Sequence, residues 1–227
     1  MSRIVIVLGM HRSGTSCLAG ILENAGVNFG EVSRCNIFNP KGNIENRLIM
    51  ELHDSLLKFN SGSWDFPPPN IIWPVHFKIE RDGIIRDFNK SLIWGFKDPR
   101  TLLLLDGWLE AVPDANLVAT FRHPMSVARS LQIRNNFPLE KGLDLWRIYN
   151  NNLLSYSERF DFPIISFDLP ARIYKEKIAL LVEHIGLTPP DNPSDFFEDT
   201  LRNQVPETVN IPQDISRMYE QLQSKSI

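Results

Sequence analysis

The residues that most clearly predict chemistry lie in one loop near the start of the chain. Residues 7–22 read VLGMHRSGTSCLAGIL, in which an apolar run ends at Gly9 and a helical pattern begins near Gly14. A glycine-bounded loop between a strand and a helix directs backbone N–H groups, and the positive end of the helix dipole, at an anion. The loop therefore predicts a site for a phosphate-like group.

This loop lacks one residue of the Walker A pattern. That pattern has Gly, four residues, Gly and then Lys-Ser or Lys-Thr, whereas here Gly14 is followed directly by Thr15 and Ser16. Arg12 supplies a cation three positions before the missing lysine, so it would approach the anion from another direction. A glycine turn that binds no ligand is the alternative interpretation.

A second group of polar residues lies in FRHPMSVARSL, residues 121–131. Arg122 follows an apolar run, Pro124 is typical of the first position of a helix, and Ser130 lies almost two turns along that helix. Arg134 is four residues further on the same helical face. Arginines together with a hydroxyl predict a site for a terminal phosphate dianion.

A third group lies in GFKDPRTL, residues 95–102, where Lys97, Asp98 and Arg100 follow another apolar run. Each of the three groups thus comes directly after a short apolar segment. Their use in one site depends on whether those segments are neighbouring strands.

Four apolar runs predict the strands that position these groups: residues 4–8, 92–96, 117–121 and 164–167. They are almost continuous in apolar residues, which is typical of strands buried on both faces. Helical patterns alternate with them, over residues 14–25, 44–59, 77–89, 101–111, 124–136, 139–160 and 171–185, and again from about 212. This alternation predicts an α/β fold, a three-layer sandwich with a central parallel sheet. Ligands of such sheets bind beyond the carboxyl ends of the strands, so the three groups should face one edge.

Length and composition predict one domain, residues 1–227, with a C-terminal helical appendage from about residue 190. Lys and Arg total 24 against 27 Asp and Glu, which argues against a nucleic acid polymer as partner. No apolar run reaches the roughly 18 residues of a membrane span. The first strand begins at Arg3, so we expect no signal peptide and a cytoplasmic location. Cys17 and Cys35 are too few for a disulfide framework or a metal site, and we expect buried thiols.

These segments resemble those of the P-loop sulfotransferases, which use 3′-phosphoadenosine 5′-phosphosulfate (PAPS). HRSGTSCL is similar to their 5′-phosphosulfate loop, and RHPMSVARSL is similar to their 3′-phosphate motif, an Arg-x-Pro with a Ser eight residues after the Arg. KDPR and NPKGNIE are similar to segments of bacterial, carbohydrate and tyrosylprotein sulfotransferases. The resemblance covers residues 4 to about 167. It implies a P-loop NTPase-like fold and transfer of a sulfonate from PAPS to a hydroxyl or amine, with adenosine 3′,5′-bisphosphate (PAP) as product.

The resemblance also implies roles for single residues. Those that would hold PAPS are His11, Arg12, Ser13, Gly14, Thr15, Ser16, Arg122 and Ser130. Arg12 would neutralise charge on the bridging and sulfonyl oxygens, and because arginine keeps its proton near neutrality, that role is electrostatic. Lys97 is the candidate for a second stabilising cation or a proton donor. A sulfonyl group carries less charge than a γ-phosphate, so we expect no metal requirement.

The acceptor must lose a proton as it attacks sulfur, and Glu45 resembles the glutamate proposed as base in related sulfotransferases. We place Glu45 at the start of a helix after a glycine turn, where a role in complementing the helix dipole is the alternative. The other candidates for the base are His11, His53, His76, Asp98 and His123. We rank them below Glu45.

Several points stay open in the sequence. The proline-rich residues 61–74 form either a surface loop or an acceptor-site lid with aromatic walls, among them Trp64. The glycine-rich cofactor segment of the animal cytosolic enzymes is absent, and Arg202 is a candidate substitute. The resemblance implies an acceptor but leaves its class open among a small molecule, a sugar and a lipid. A P-loop nucleotide kinase or NTPase and an inactive nucleotide-binding module are the competing functions.

Overall fold

A four-stranded, all-parallel sheet lies at the centre of the protein in a computed structural model that describes residues 2–32, 42–190 and 211–227. Its strands are β1 (Arg3–Leu8), β2 (Ile93–Lys97), β3 (Asn116–Phe121) and β4 (Ile164–Ser166), in the order β2-β1-β3-β4. Each differs from its predicted bounds by no more than one residue at either end. The predicted parallel sheet is confirmed.

Eight helices accompany the sheet in the described ranges. They are α1 (Thr15–Asn24), α2 (Arg47–Phe59), α3 (Val75–Phe88), α4 (Thr101–Ala111), α5 (Pro124–Asn135), α6 (Leu139–Arg159), α7 (Ala171–His184) and α8 (Gln213–Lys225). The largest difference from the predicted bounds is the start of α2, which we had placed at residue 44. None of the helices in these ranges has both the length and the apolar character of a membrane span.

Alternate residues of β1 enter two separate hydrophobic cores, one on each face of the sheet. Val5 and Val7 pack in the smaller core with residues of α1 and α7. Ile6 and Leu8 pack in the larger core with residues of α2 to α6 and of α8. Both faces of the sheet are therefore covered by helices, as the continuous apolar runs indicated, and the three-layer arrangement is confirmed.

The register of the strands brings their carboxyl ends to one edge. Val7 is paired with Lys97 of β2 on one side and with Val118 of β3 on the other. The segments that follow β1, β2 and β3 therefore begin side by side. These segments carry the three groups of polar residues that the sequence singled out.

The C-terminal helix α8 packs against the body of the protein. Its residues Ile215 and Leu222 are buried in the larger core, and the backbone N–H of Ile227 donates to the carbonyl of Ile164 at 3.0 Å.

Arg202 and Cys35 lie outside the described residues. Cys17 is only partly buried, whereas we expected a buried thiol.

Residues 61–74 contain no helix, as their prolines required, and the loop is packed at its far end against α4. Gly107 of α4 lies directly beneath the ring of Trp73, so a methyl group added at Gly107 would overlap the indole atoms Cε2 and Nε1. At Gly83 of α3, by contrast, the nearest atom to such a methyl group is Nη2 of Arg86, at 3.9 Å.

These two helical glycines provide a matched test of how the loop packs. Gly83→Ala should raise the free energy of unfolding by about 0.5 to 1 kcal/mol, because alanine favours the helix and has room. Gly107→Ala should lower it by about 1 to 3 kcal/mol, because Trp73 must move. Urea unfolding of both variants measures the difference, and a Gly107→Ala variant as stable as Gly83→Ala would contradict the packing of Trp73 on α4.

Candidate active site

The loop between β1 and α1 is built around two glycines with positive φ. Gly9 has φ of 147°, and a Cβ atom there would lie 2.5 Å from the carbonyl oxygen of Thr120. Gly14, with φ of 87°, is the N-cap of α1, and a Cβ atom there would overlap the ring of Phe167. In the described part of the chain no acceptor contacts the backbone N–H groups of Gly14, Thr15 and Ser16. They fit the predicted cradle for a phosphate-like group.

The side chains of this loop have different surroundings. Ser13 is fully buried, and its Oγ has no hydrogen-bond partner among the described residues, so it can bond to a ligand. Ser16 Oγ donates to the carbonyl of Asn43 at 3.0 Å, which leaves its backbone N–H for an anion. The carbonyl of Ser13 accepts from Thr120 Oγ1 at 3.0 Å, and this bond fixes the loop to the end of β3.

Arg12 joins the first two predicted anion sites. It has φ of 66°, which is uncommon for a residue other than glycine. Its Nε donates to Ser130 Oγ of α5 at 2.7 Å, across 118 residues of sequence. Burial, together with the charges of Arg134 and Arg122, lowers the pKa of Arg12 to about 10, so its guanidinium stays protonated at neutral pH.

Arg122 is held by residues that the sequence analysis did not single out. Its Nε lies 3.4 Å from Asp168 Oδ1, and its guanidinium lies 5.5 Å from the centroid of the Phe167 ring. Asp168 Oδ2 also accepts from the backbone N–H of His123 at 2.6 Å. Both Phe167 and Asp168 directly follow β4, so the only signal for them was their position at the end of the predicted strand 164–167.

Glu45 and Lys97, two of the predicted catalytic residues, form an ion pair. Lys97 Nζ lies 2.7 Å from Glu45 Oε1, and the lysine is almost completely buried. Glu45 is not in the first turn of α2, because the side chain of Asn46 accepts from the N–H groups of Leu48 and Ile49 and caps the helix there. Our placement of Glu45 at the helix start was therefore wrong, and its partner is Lys97.

His53 and Asp98 belong to a buried structural network. Trp108 Nε1 donates to His53 Nε2 at 2.8 Å, so the proton of the imidazole is on Nδ1, which lies 3.2 Å from Asp98 Oδ2. Arg100 Nη1 donates to Asp98 Oδ1 at 2.9 Å, and its Nε lies 2.6 Å from Asp54 Oδ1. Both ring nitrogens of His53 are thus engaged, and this residue has no nitrogen left to act as a base.

The pKa of Asp98 follows from these contacts. Burial by itself would raise the pKa, but the hydrogen bond with His53 and the charge of Arg100 outweigh burial and hold the pKa well below its usual range. A carboxylate of such low basicity is a poor base near neutral pH. Asp98 therefore fixes the segment after β2.

His11, in the loop after β1, packs against residues 61–74. Its ring centroid is 4.5 Å from that of Trp64, and its buried Nε2 has no hydrogen-bond partner among the described residues. Burial lowers the pKa of His11 well below its usual range, and the charges of Arg100 and Arg134 lower it further, so the imidazole is neutral at pH 7. Tyr149 Oη donates to the carbonyl of Trp64 at 2.8 Å, which anchors this part of the loop beside the site.

The remaining histidine candidates pack against aromatic rings. The ring centroid of His123 is 5.0 Å from that of Tyr219 in α8. His76 is exposed on α3, where its ring lies against Phe59 and Phe77. Within the described ranges no three His, Cys, Asp or Glu residues are grouped so that they could hold a metal ion.

A cavity of about 350 Å³ lies at the other edge of the sheet, near the start of β3. Its lining includes Leu109, Asn116, Arg159 and His184. None of the predicted site residues lines this cavity, and we assign it no role.

The fold has relatives among solved structures. The sulfotransferase domain of the olefin synthase of Synechococcus PCC 7002 has a TM-score of 0.65 and 14% sequence identity, over 98% of this chain and 96% of that domain. The sulfotransferase STF1 of Mycobacterium tuberculosis H37Rv has a TM-score of 0.50 and 14% identity, over 99% of this chain and 77% of that protein. No protein-family model and no curated protein matches the chain. The chain thus has the P-loop fold of these bacterial sulfotransferases, which confirms the predicted fold.

The network of Asp98 gives a prediction for stability and its pH dependence. Because the pKa of Asp98 is lowered in the folded state, its contribution to stability is present above about pH 4 and is lost as the pH falls toward the folded-state value. Asp98→Asn should lower the free energy of unfolding at pH 7 by about 3 to 5 kcal/mol, because Arg100 loses a buried partner.

The same substitution should flatten the fall of stability between about pH 5 and pH 3. Urea unfolding across this pH range measures both effects. Asp114→Asn, at an exposed aspartate, is the matched control and should change neither. A variant at Asp98 with the pH dependence of the wild type would contradict the network.

Proposed function

We propose that the protein is a PAPS-dependent sulfotransferase, which transfers a sulfonate to a hydroxyl or amine acceptor and leaves PAP. The observation that carries the proposal is the hydrogen bond between Arg12 and Ser130, because it brings the two anion motifs of the sequence together at one edge of the sheet. The fold shared with two bacterial sulfotransferases supports the same reaction. The acceptor would be a small molecule, a sugar or a lipid.

The residues of this chain would bind the two anionic groups of the donor at two separate sites. When bound, PAPS supplies an activated sulfonyl group on its 5′-phosphate. The backbone N–H groups of residues 14–16 and the hydroxyl of Ser13 would hold the phosphosulfate, with His11 beside them. Arg122 and Ser130 would hold the 3′-phosphate through a charge-assisted pair and a hydroxyl.

Arg12 and Lys97 would stabilise the charge that develops during transfer. The bond between sulfur and the bridging oxygen breaks with its electron pair on that oxygen, where a fixed guanidinium lowers the energy of the transition state. Arg12 is suited to this role because its bond to Ser130 fixes its direction. Lys97 would act as the second cation or as the proton donor.

Glu45 would act as the general base. It would take the proton of the acceptor as the acceptor oxygen or nitrogen bonds to sulfur. Lys97 contacts only Oε1, and in the part of the chain that the structure describes no donor contacts Oε2. This second oxygen is the one that we assign to the acceptor's proton.

A P-loop nucleotide kinase or NTPase is the main competing function. The position after Gly14 is threonine instead of lysine, and the carboxylate of Asp98 after β2 is engaged by Arg100 and His53. Both features make this edge of the sheet less suited to a nucleoside triphosphate with its Mg²⁺, which needs the lysine and a free carboxylate. An inactive nucleotide-binding module would bind PAP without transferring sulfonate.

Binding of PAP tests the proposal. PAP at about a hundred times its dissociation constant should stabilise the protein by ~2.7 kcal/mol, a rise in Tm of roughly 5 to 10 °C. Arg122→Ala should weaken PAP by about 10- to 100-fold and leave 5′-AMP, which lacks the 3′-phosphate, nearly unchanged. Calorimetric titration of both ligands measures the change in preference.

Arg86→Ala, at an exposed arginine of α3, is the control for these titrations and should bind PAP as the wild type does. Equal losses of PAP and 5′-AMP in Arg122→Ala would mean that Arg122 supports the fold or the 5′ side. Stabilisation by ATP with Mg²⁺ but not by PAP would favour the kinase or NTPase instead.

The base role of Glu45 is tested by turnover. Glu45→Gln keeps the size of the side chain but removes the base, so kcat should fall by about 10²- to 10⁴-fold while the Kd of PAP changes little. Transfer from labelled PAPS to a panel of hydroxyl and amine acceptors, without added metal, measures the rate. His76→Gln is the control, and wild-type turnover in Glu45→Gln would refute a base role.

A further inference from the structure

Arg134, near the end of α5, has its guanidinium over an aromatic ring. Its guanidinium carbon is 5.2 Å from the centroid of the Trp64 ring, and its Nε donates to Asn135 Oδ1 at 2.6 Å. Among the residues that the structure describes, no carboxylate forms an ion pair with Arg134, and its two terminal nitrogens have no acceptor. The sequence grouped Arg134 with Arg122, but the structure places it on Trp64.

Three other cations around the site, Lys97, Arg100 and Arg122, have carboxylate neighbours. Lys97 contacts Glu45, and Arg100 contacts Asp98 and Asp54. Arg134 is partly buried, and burial lowers its pKa even though the charge of Glu45 acts in the opposite direction. Its charge is therefore poorly compensated within the described residues, and an anion bound there would compensate it.

The position of Arg134 indicates which ligand would supply that anion. Arg12 feels the charges of both Arg134 and Arg122. Arg122 lies on Phe167 and beside Asp168, on the side assigned to the 3′-phosphate. Arg134 lies instead at Trp64, and its charge interacts with that of Glu45, the residue assigned to the acceptor.

The surroundings of Arg134 combine aromatic faces with one further polar atom. The ring of Trp64 has a centroid distance of 5.9 Å to Phe137 and of 4.5 Å to His11. Nε2 of His11 is buried and has no hydrogen-bond partner among the described residues. A ligand here would meet apolar rings, a guanidinium and a neutral imidazole.

Building on the proposed function, we propose that Arg134 binds a carboxylate of the acceptor, and that the acceptor carries this carboxylate next to an aromatic or apolar part. The planar guanidinium is held by Trp64, and its two terminal NH₂ groups form a fork that matches the two oxygens of a carboxylate. Trp64 and Phe137 would contact the apolar part. His11 Nε2 would contribute a single hydrogen bond.

Benzoate and its neutral analogue benzamide are the probes that test this proposal. In calorimetric titrations of the wild type saturated with PAP, benzoate should bind at least 10-fold more tightly than benzamide. Arg134→Gln should weaken benzoate at least 10-fold and leave benzamide unchanged, because only the charged fork is lost. Arg134→Lys keeps the charge but not the fork, so its affinity for benzoate should lie between those of the wild type and Arg134→Gln.

The binding of PAP by each variant separates this inference from the proposed function. Arg134→Gln should bind PAP as the wild type does, which also shows that it is folded, and Arg86→Gln should leave benzoate binding unchanged. Three results would overturn the inference without affecting the proposed function, provided that the wild type binds PAP. They are the absence of saturable benzoate binding, equal affinity for benzoate and benzamide, and unchanged benzoate affinity in Arg134→Gln. Failure of the wild type to bind PAP would refute the proposed function, and the benzoate titrations on the protein alone would still test the anion site.

Discussion

The loop between β1 and α1 has space only for glycine at both of its ends. At Gly9 the backbone passes the carbonyl of Thr120, and at Gly14 it passes under the ring of Phe167. Both residues also have positive φ, so a side chain would be strained there whatever the space. Because the chain is confined between β3 and the residue after β4, Arg12 is directed toward α5 and reaches Ser130. The geometry of the candidate site starts from this confinement.

Buried charges in this region are arranged in pairs. Lys97, at the end of β2, pairs with Glu45 in the chain before α2, and Arg100 and Asp98 pair with each other in the segment after β2. Removing one partner would leave an uncompensated buried charge, which costs far more than the pair itself contributes. The pairs therefore hold the loops in one arrangement, and they keep cations in place at the edge where an anion is expected.

The sequence predicted the parallel sheet, the alternation of strands and helices along the chain and the edge where polar residues meet, because these follow from local apolar patterns and from the geometry of parallel strands. It did not predict the hydrogen bond of Trp108 to His53, which joins residues 55 apart, nor the contact of Asp168 with Arg122. Contacts of this kind depend on how segments distant in sequence pack together. The residues next to Trp108 and Asp168 in the sequence give no sign of either contact. The start of α2 was missed for a local reason. We placed it at residue 44, directly after the glycine turn, but Asn46 is the N-cap and the helix begins at Arg47.

Charge balance favours Glu45 over His11 as the base of the proposed reaction. A proton taken by His11 would add a positive charge beside Arg100 and Arg134, whose charges already lower the pKa of this imidazole. A proton taken by Glu45 would neutralise a carboxylate instead. It would also release the charge of Lys97 from its ion pair at the moment when the bridging oxygen becomes negative. The contact between Glu45 and Lys97 would thus couple removal of the acceptor's proton to stabilisation of the leaving group, and His11 would stay neutral beside Trp64.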